Sequence, residues 1–350
     1  MNLEERLDSF IKLGSFMSGI ISDNNEYNND FVPDINKVIK KSYLNNNWFT
    51  EDNLIYRIKS LSSSLNSDSL ESWMSPYDLK SNLLSNKRVL IVMAGNIPLV
   101  GFHDLISTLI VGHHAVVKLS SNDNVLLPYV FNMLCEIDPR WRSRLTYIDN
   151  LEQRNFDALI TAGSDNSSRY FEYYFRDVPR LIRGNRNSIA VLSGNETDNE
   201  LDELCKDIFL YFGLGCRSVS KLFLPDGYDT DKLFKAFYKY KYFLDHKKYM
   251  SNYDYNKAIF MMEKYDFLEN GFCILRKHNS LASPVSVINY EYYNELNDVC
   301  NYIDLNYDLL QCVVAKDEIV ENYVPFGKSQ NPKLWNYANQ VDTINFLKSV

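Results

Sequence analysis

The sequence predicts an α/β protein built on a parallel sheet, and three observations carry that expectation. From residue 89 onward, short apolar runs alternate with helix-like segments, the rhythm of a sheet covered by helices on both faces. Before residue 89 there is no comparable strand signal, and the head reads as mostly helical. At 350 residues the chain is long enough for two cores with a cleft between lobes.

The elements follow in order. Apolar runs at 89–94 (VLIVMA), 115–119 (AVVKL), 145–148 (LTYI), 157–161 (DALIT) and 188–192 (SIAVL) read as strands. Helices are expected at 98–111, near 124–136, at about 165–175 and at about 198–212. In the 98–111 helix, Pro98 occupies a first-turn position and Gly112 a C-terminal stop, with Leu99, Phe102, Leu105, Ile106, Leu109 and Ile110 as the buried stripe. Beyond it come a strand at 220–225 (SKLFLP), a basic aromatic helix (DKLFKAFYKYKYF) and strands near 284–288 and 311–315. The tail PKLWNYANQVDTINFLK reads as a terminal helix or arm, and the polar stretches 22–32 and 61–69 read as surface loops. The expected division is 1–212 for the helical head and a Rossmann-type domain, 213–325 for a smaller α/β domain, and 326–350 for the arm.

Composition excludes several functions. The net charge is −8, and Lys and Arg are scattered, which argues against nucleic acid and anionic membrane surfaces as partners. The first residues, MNLEERLDSFIKLG, have neither a signal peptide's apolar core nor a transit peptide's basic character, and no run approaches a membrane span. Cys135, Cys205, Cys216, Cys273, Cys300 and Cys312 form no C-x-x-C pair and have no His at ligand spacing, so no metal site is expected. They read as thiols of a cytoplasmic protein.

Three segments carry chemistry. In AGNIP (94–98), Asn96 sits where a strand runs into a helix, as a helix cap or as a polar group aimed at a ligand. In ITAGSDNSSRYF (160–171), Gly163 and Ser164 end a strand before a helix, whose free N–H groups suit a pyrophosphate. In FGLGCRSVSKLFLP (212–225), Cys216 follows Gly213 and Gly215 on a turn before a strand. Glycines there permit a tight turn and close approach of a substrate carbonyl to backbone N–H groups.

N-I-P-L at 96–99, V-V-K-L-S-S at 116–121, A-G-S at 162–164 and F-G-L-G-C-R-S-V-S-K-L-F-L at 212–224 together resemble the aldehyde dehydrogenase superfamily, and within it the LuxC-like acyl-CoA reductases. The likeness covers roughly 85–330, and the tail PFGKSQNPKLWNYANQVDT resembles the LuxC-like branch specifically. It implies an aldehyde-dehydrogenase-like fold and reduction of an acyl thioester to aldehyde, with acyl-CoA or an acyl carrier protein as donor. Cys216 would be the nucleophile and Asn96 an oxyanion donor, while Lys118, Ser120, Ser121, Gly163 and Ser164 would contact the cofactor. Ser121 is neutral where NAD-selective relatives often carry Glu, so NADPH is the expected cofactor, with NADH as the alternative. The water-activating Glu of the aldehyde oxidisers is missing: Ile182 or Arg183 occupies its column, and Glu291 is only a loose match to a second cofactor-side Glu. The rival readings are an aldehyde dehydrogenase running toward acid and a catalytically silent acyl-carrier scaffold. A homo-oligomer or an acyl-transferring partner protein is left open.

Overall fold

The computed structural model describes residues 1–21, 34–78, 86–151, 155–163, 165–316 and 319–350, so the loop expected at 22–32 lies outside the described residues. The chain forms two compact units, one of Met1–Gly184 with Lys333–Val350, the other of Asn185–Pro332. The division therefore falls at Gly184/Asn185, not at 212/213. The reason is pairing: the strand at 187–191 lies between 310–315 and 219–225 in the second sheet.

In the first unit, helices α1 (Leu3–Ile21), α2 (Ile35–Asn45), α3 (Glu51–Ser64) and α4 (Ser67–Met74) precede the sheet. The stretch 61–69, expected as a loop, is thus nearly all helix. Leu61, Leu65 and Leu70 are buried, and Asn66 accepts a hydrogen bond from the Ser69 N–H as the cap of α4. Burial of that apolar stripe outweighs the weak helix preference of the serines.

Then follow β1 (Arg88–Val92), α5 (Phe102–Val111), β2 (His114–Lys118), α6 (Leu126–Ile137), β3 (Leu145–Tyr147), β4 (Ala158–Ala162), α7 (Asp165–Tyr174) and β5 (Arg180–Arg183). The strands are all parallel, in the order β3-β2-β1-β4-β5. Their side chains alternate between two cores. Val89, Ile91, Ala115, Val117 and Ile160 pack with α5 and α6, while Leu90, Val116 and Leu159 meet Phe171 and Phe175 on the opposite face. The chain runs outward from β1 to β3 and then returns to β4 on the other side of β1. The loops after β1 and β4 consequently diverge, and a crevice at the carboxyl ends of such strands is where open α/β sheets bind ligands.

Helix α5 begins at Phe102 and not at Pro98, because Leu99 is left-handed (φ 52°) and breaks any helix there. Its C-terminal stop is as expected, with Gly112 at φ 101°.

The second unit contains β6 (Asn187–Val191), α8 (Asp198–Phe209), β7 (Val219–Pro225), α9 (Asp231–Phe237), α10 (Lys247–Met262), β8 (Leu268–Glu269), β9 (Ile274–Lys277), β10 (Val287–Tyr293), α11 (Leu296–Leu305) and β11 (Leu310–Ala315). The six strands run β11-β6-β7-β10-β9-β8, parallel except for β8 against β9. The tail returns to the first unit, where α12 (Thr343–Lys348) buries Ile344 and Leu347 in the core of α5 and the helical head. No helix among the described residues is long and apolar enough to cross a membrane.

Candidate active site

The expected site residues fall into two groups, one in each unit. In the first unit the register sets Lys118 and Thr161 on either side of Val92, so the ends of β2, β1 and β4 are level. The segments that follow them, carrying Ser120 and Ser121, Asn96, and Gly163, therefore leave one edge of the sheet side by side. Asn96 is exposed, whereas Lys118 is half-buried at its strand end.

Packing ties the β1 and β2 segments together. A Cβ at Gly95 would lie 2.4 Å from the Ser120 Oγ, so only glycine permits this approach. Ser120 Oγ also accepts from the Asn122 N–H at 3.3 Å. Asp123 is nearly buried, and its Oδ2 accepts the Leu99 N–H at 2.7 Å. Burial pushes the Asp123 carboxyl up to about 6, against the lowering effects of the Leu99 N–H and the Arg57 charge. Ser121 is exposed, with its carbonyl held by Asn45 Nδ2 at 2.9 Å.

Gly163 is placed before α7, but its own N–H is donated to the Arg183 carbonyl at 3.2 Å. It cannot also serve a pyrophosphate, so donors for an anion would have to come from the first turn of α7. Ser164 lies outside the described residues.

In the second unit, α8 starts with a capping box between Thr197 and Glu200 and ends at Phe209. The expected helix to 212 stops there because Tyr211 (φ 53°), Phe212 (φ 57°) and Gly213 (φ 74°) are all left-handed. Each non-glycine residue in that conformation costs roughly 1–2 kcal/mol. Aromatic packing holds them: Tyr211 is buried, and the Phe212 ring lies 4.7 Å from that of Phe243 and 4.3 Å from that of His246. The strain thus sits at Tyr211–Gly213, one turn before the cysteine, and Gly215 adopts no positive φ.

Cys216 is exposed at the crest of the following turn, which the Ser218 N–H closes onto the Gly215 carbonyl at 2.9 Å. Its carbonyl accepts from Ser188 Oγ at 2.9 Å, and the same hydroxyl lies 3.1 Å from Cys312 Sγ. Buried Gln330 donates to Ser218 Oγ at 3.1 Å. Asp207 of α8 accepts the N–H groups of Gly327 (2.6 Å) and Ser329 (2.9 Å). The PFGKSQNP segment therefore straps the turn from behind. By contrast Cys205 and Cys273 are buried, and burial pushes both thiols well above their ordinary range. Sequence reasoning found the cysteine and missed its supports, since Ser188 and Gln330 are 28 and 114 residues away in the chain.

The column of the missing base is also defined. Arg183 is buried and doubly bonded to Asp104 of α5 at 2.6 and 2.7 Å, with Nη2 donating to Thr343 Oγ1 at 2.8 Å. Ile182 packs with the apolar cluster on the other face of the sheet. Glu291, the loose second match, is ion-paired with the fully buried Lys221.

A family model described as acyl-CoA reductase (LuxC) matches residues 27–239. No curated protein matches the chain. Among solved structures it is similar to the aldehyde dehydrogenase KauB from Pseudomonas aeruginosa, with a TM-score of 0.63 at 12% identity over 90% of this chain and 72% of that one. A Mycobacterium tuberculosis aldehyde dehydrogenase complexed with NAD+ gives 0.60 at 10% identity over 87% and 73%. Substrate-bound Staphylococcus aureus AldH gives 0.54 at 14% identity over 91% and 76%. At these identities the likeness is one of fold, and it is the aldehyde-dehydrogenase-like α/β fold expected from the sequence.

Proposed function

Because the chain belongs to the LuxC acyl-CoA reductase family, we propose that it reduces an acyl thioester to an aldehyde through Cys216, the first unit binding the cofactor and the second carrying the thiol. The observation that carries this reading is the exposed Cys216 on a turn backed by three left-handed residues, while Cys205 and Cys273 are sealed in the core. Strained backbone kept in place by close packing is a feature of working sites.

The Cys216 thiolate attacks the thioester carbonyl, the carrier thiol leaves with a proton, and an acyl-enzyme remains. The family likeness implies two donors for the oxygen as it gains charge, and we assign these roles to the Asn96 side-chain amide and the Cys216 N–H. A bound reduced nicotinamide supplies the hydride that releases the acyl group as aldehyde. The crevice at the carboxyl ends of β1 and β4 suits such a dinucleotide; Lys118 would hold its ribose and the first turn of α7 would supply donors to its pyrophosphate. Lys118 has no ion-pair partner among the described residues, so it can answer a 2′-phosphate. NADPH should therefore be used at least as well as NADH, and a strong preference for NADH in kcat/KM would overturn that placement. Cytoplasmic residence, and acyl-CoA or an acyl carrier protein as donor, belong to the same proposal.

The test is NAD(P)H oxidation across a panel of acyl-CoA thioesters, with mass spectrometry of the enzyme quenched without cofactor. The acyl adduct is expected on Cys216, and Cys216→Ala should abolish both adduct and turnover while Cys205→Ala keeps them. An adduct on another cysteine would refute the assignment.

A further inference from the structure

The loop that carries Asn96 is fastened by groups to which the proposed chemistry gives no part. Arg57, from α3 of the helical head, donates through Nε to the Pro98 carbonyl at 3.1 Å and through Nη2 to the Leu99 carbonyl at 3.2 Å. Asp123, from the segment after β2, takes the Leu99 N–H at 2.7 Å. Both polar groups of one left-handed, non-glycine residue are thus claimed by side chains of opposite charge from two remote elements. On the other side of Asn96, Gly95 is wedged against Ser120. The segment after β2 is itself moored to the head, where Asn45 Nδ2 donates to the Ser121 carbonyl at 2.9 Å and Asn46 Nδ2 to the Asn122 carbonyl at 3.5 Å.

We propose that Arg57 and Asp123 are positioning residues for Asn96: by holding the Pro98–Leu99 backbone against the Gly95–Ser120 contact, they fix the direction in which the Asn96 amide points. The inference rests on the reading of Asn96 as oxyanion donor. Its physical basis is that a donor stabilises a developing charge only if it is already aimed, because a flexible one must be ordered during the reaction. The guanidinium suits the task because its rigid planar fork spans two successive carbonyls, whereas an ammonium on a flexible stem holds no fixed fork. Asp123 presents a carboxylate to an N–H that the left-handed turn leaves out of any helix.

The experiment is steady-state acyl-CoA reduction by Asn96→Ala, Arg57→Gln, Arg57→Lys, Asp123→Ala and Asp123→Asn, together with the double variant Asn96→Ala/Arg57→Gln. Misaiming a catalytic group by about 1 Å costs on the order of 10²-fold. Arg57→Gln and Asp123→Ala should therefore lower kcat by about 10- to 100-fold at nearly constant KM. Asp123→Asn, whose amide oxygen still accepts the Leu99 N–H, should recover most of the loss, and Arg57→Lys only part. In the Asn96→Ala background Arg57→Gln should cost nothing further. Full kcat in Asp123→Ala and Arg57→Lys, or an undiminished Arg57→Gln loss in the double variant, would overturn the positioning role while leaving Asn96 as donor. An unchanged kcat in Asn96→Ala would instead remove the donor reading and the positioning role with it.

Discussion

Asp207 shows how much one buried carboxylate can influence this protein. It is inaccessible to solvent, and burial, helped by the charge of Glu203, pushes it up to about 6 from an ordinary 3.8 despite the Gly327 and Ser329 donors. The folded chain therefore keeps a proton that the unfolded chain has already released between those two values. Its contribution to stability is complete below 3.8 and is lost as pH rises through 6. A shift of about two units corresponds to roughly 3 kcal/mol. Asp207→Asn removes this dependence, so the stability of the parent relative to the variant should fall by up to roughly 3 kcal/mol from about pH 4 to pH 7. Urea denaturation of both proteins across that range measures it, and a constant difference would mean that Asp207 titrates normally. Carboxylates such as Glu200, held low by Lys316, slope the other way in both proteins and cancel in the comparison.

At the scale of elements, α5 joins three parts of the first unit. Its apolar stripe faces the sheet and the helical head, while Asp104, on its first turn, meets Arg183 at the end of β5. Arg183 also reaches Thr343 at the start of α12, which anchors the returning tail. Breaking one side of a buried pair leaves an uncompensated charge, at a cost of about 3–5 kcal/mol. Asp104→Ala should lose about that much in chemical denaturation, and Asp104→Ala/Arg183→Met should regain a good part of it. A single variant within about 0.5 kcal/mol of the parent would show that water already screens the pair. Gly112, by contrast, contributes a left-handed turn that was readable from its place after the last apolar residue.

For the molecule as a whole, the direction proposed for the reaction rests on what β5 lacks. Hydrolysis of an acyl-enzyme needs a water deprotonated in place, help typically worth 10²–10⁴-fold. Neither Ile182, packed in the sheet's apolar cluster, nor Arg183, engaged with Asp104, can supply that base. Aldehyde with NAD(P)+ and no CoA should give little acid, whereas acyl thioester with NAD(P)H should give aldehyde and free thiol in equal amounts. Sustained acid production by the unmodified protein would reveal another base and reverse the assignment. The roles of Cys216 and Asn96 would then belong to an oxidising enzyme.

The sequence by itself determined the alternation of strands and helices from residue 89, the glycine turn with its cysteine, and the family likeness. All three are local patterns: strand apolarity, helix periodicity and turn chemistry are written within a few residues of each other. Only the tertiary structure decided that the second sheet begins at Asn187, that α5 starts at Phe102, and that the stretch 61–69 is helical. It also decided which groups brace the site. Arg57 meets Leu99 across 42 residues, and Asp207 meets Gly327 across 120. Such contacts form because a buried N–H, carbonyl or carboxylate must find a partner somewhere in the folded chain, and no local pattern states where.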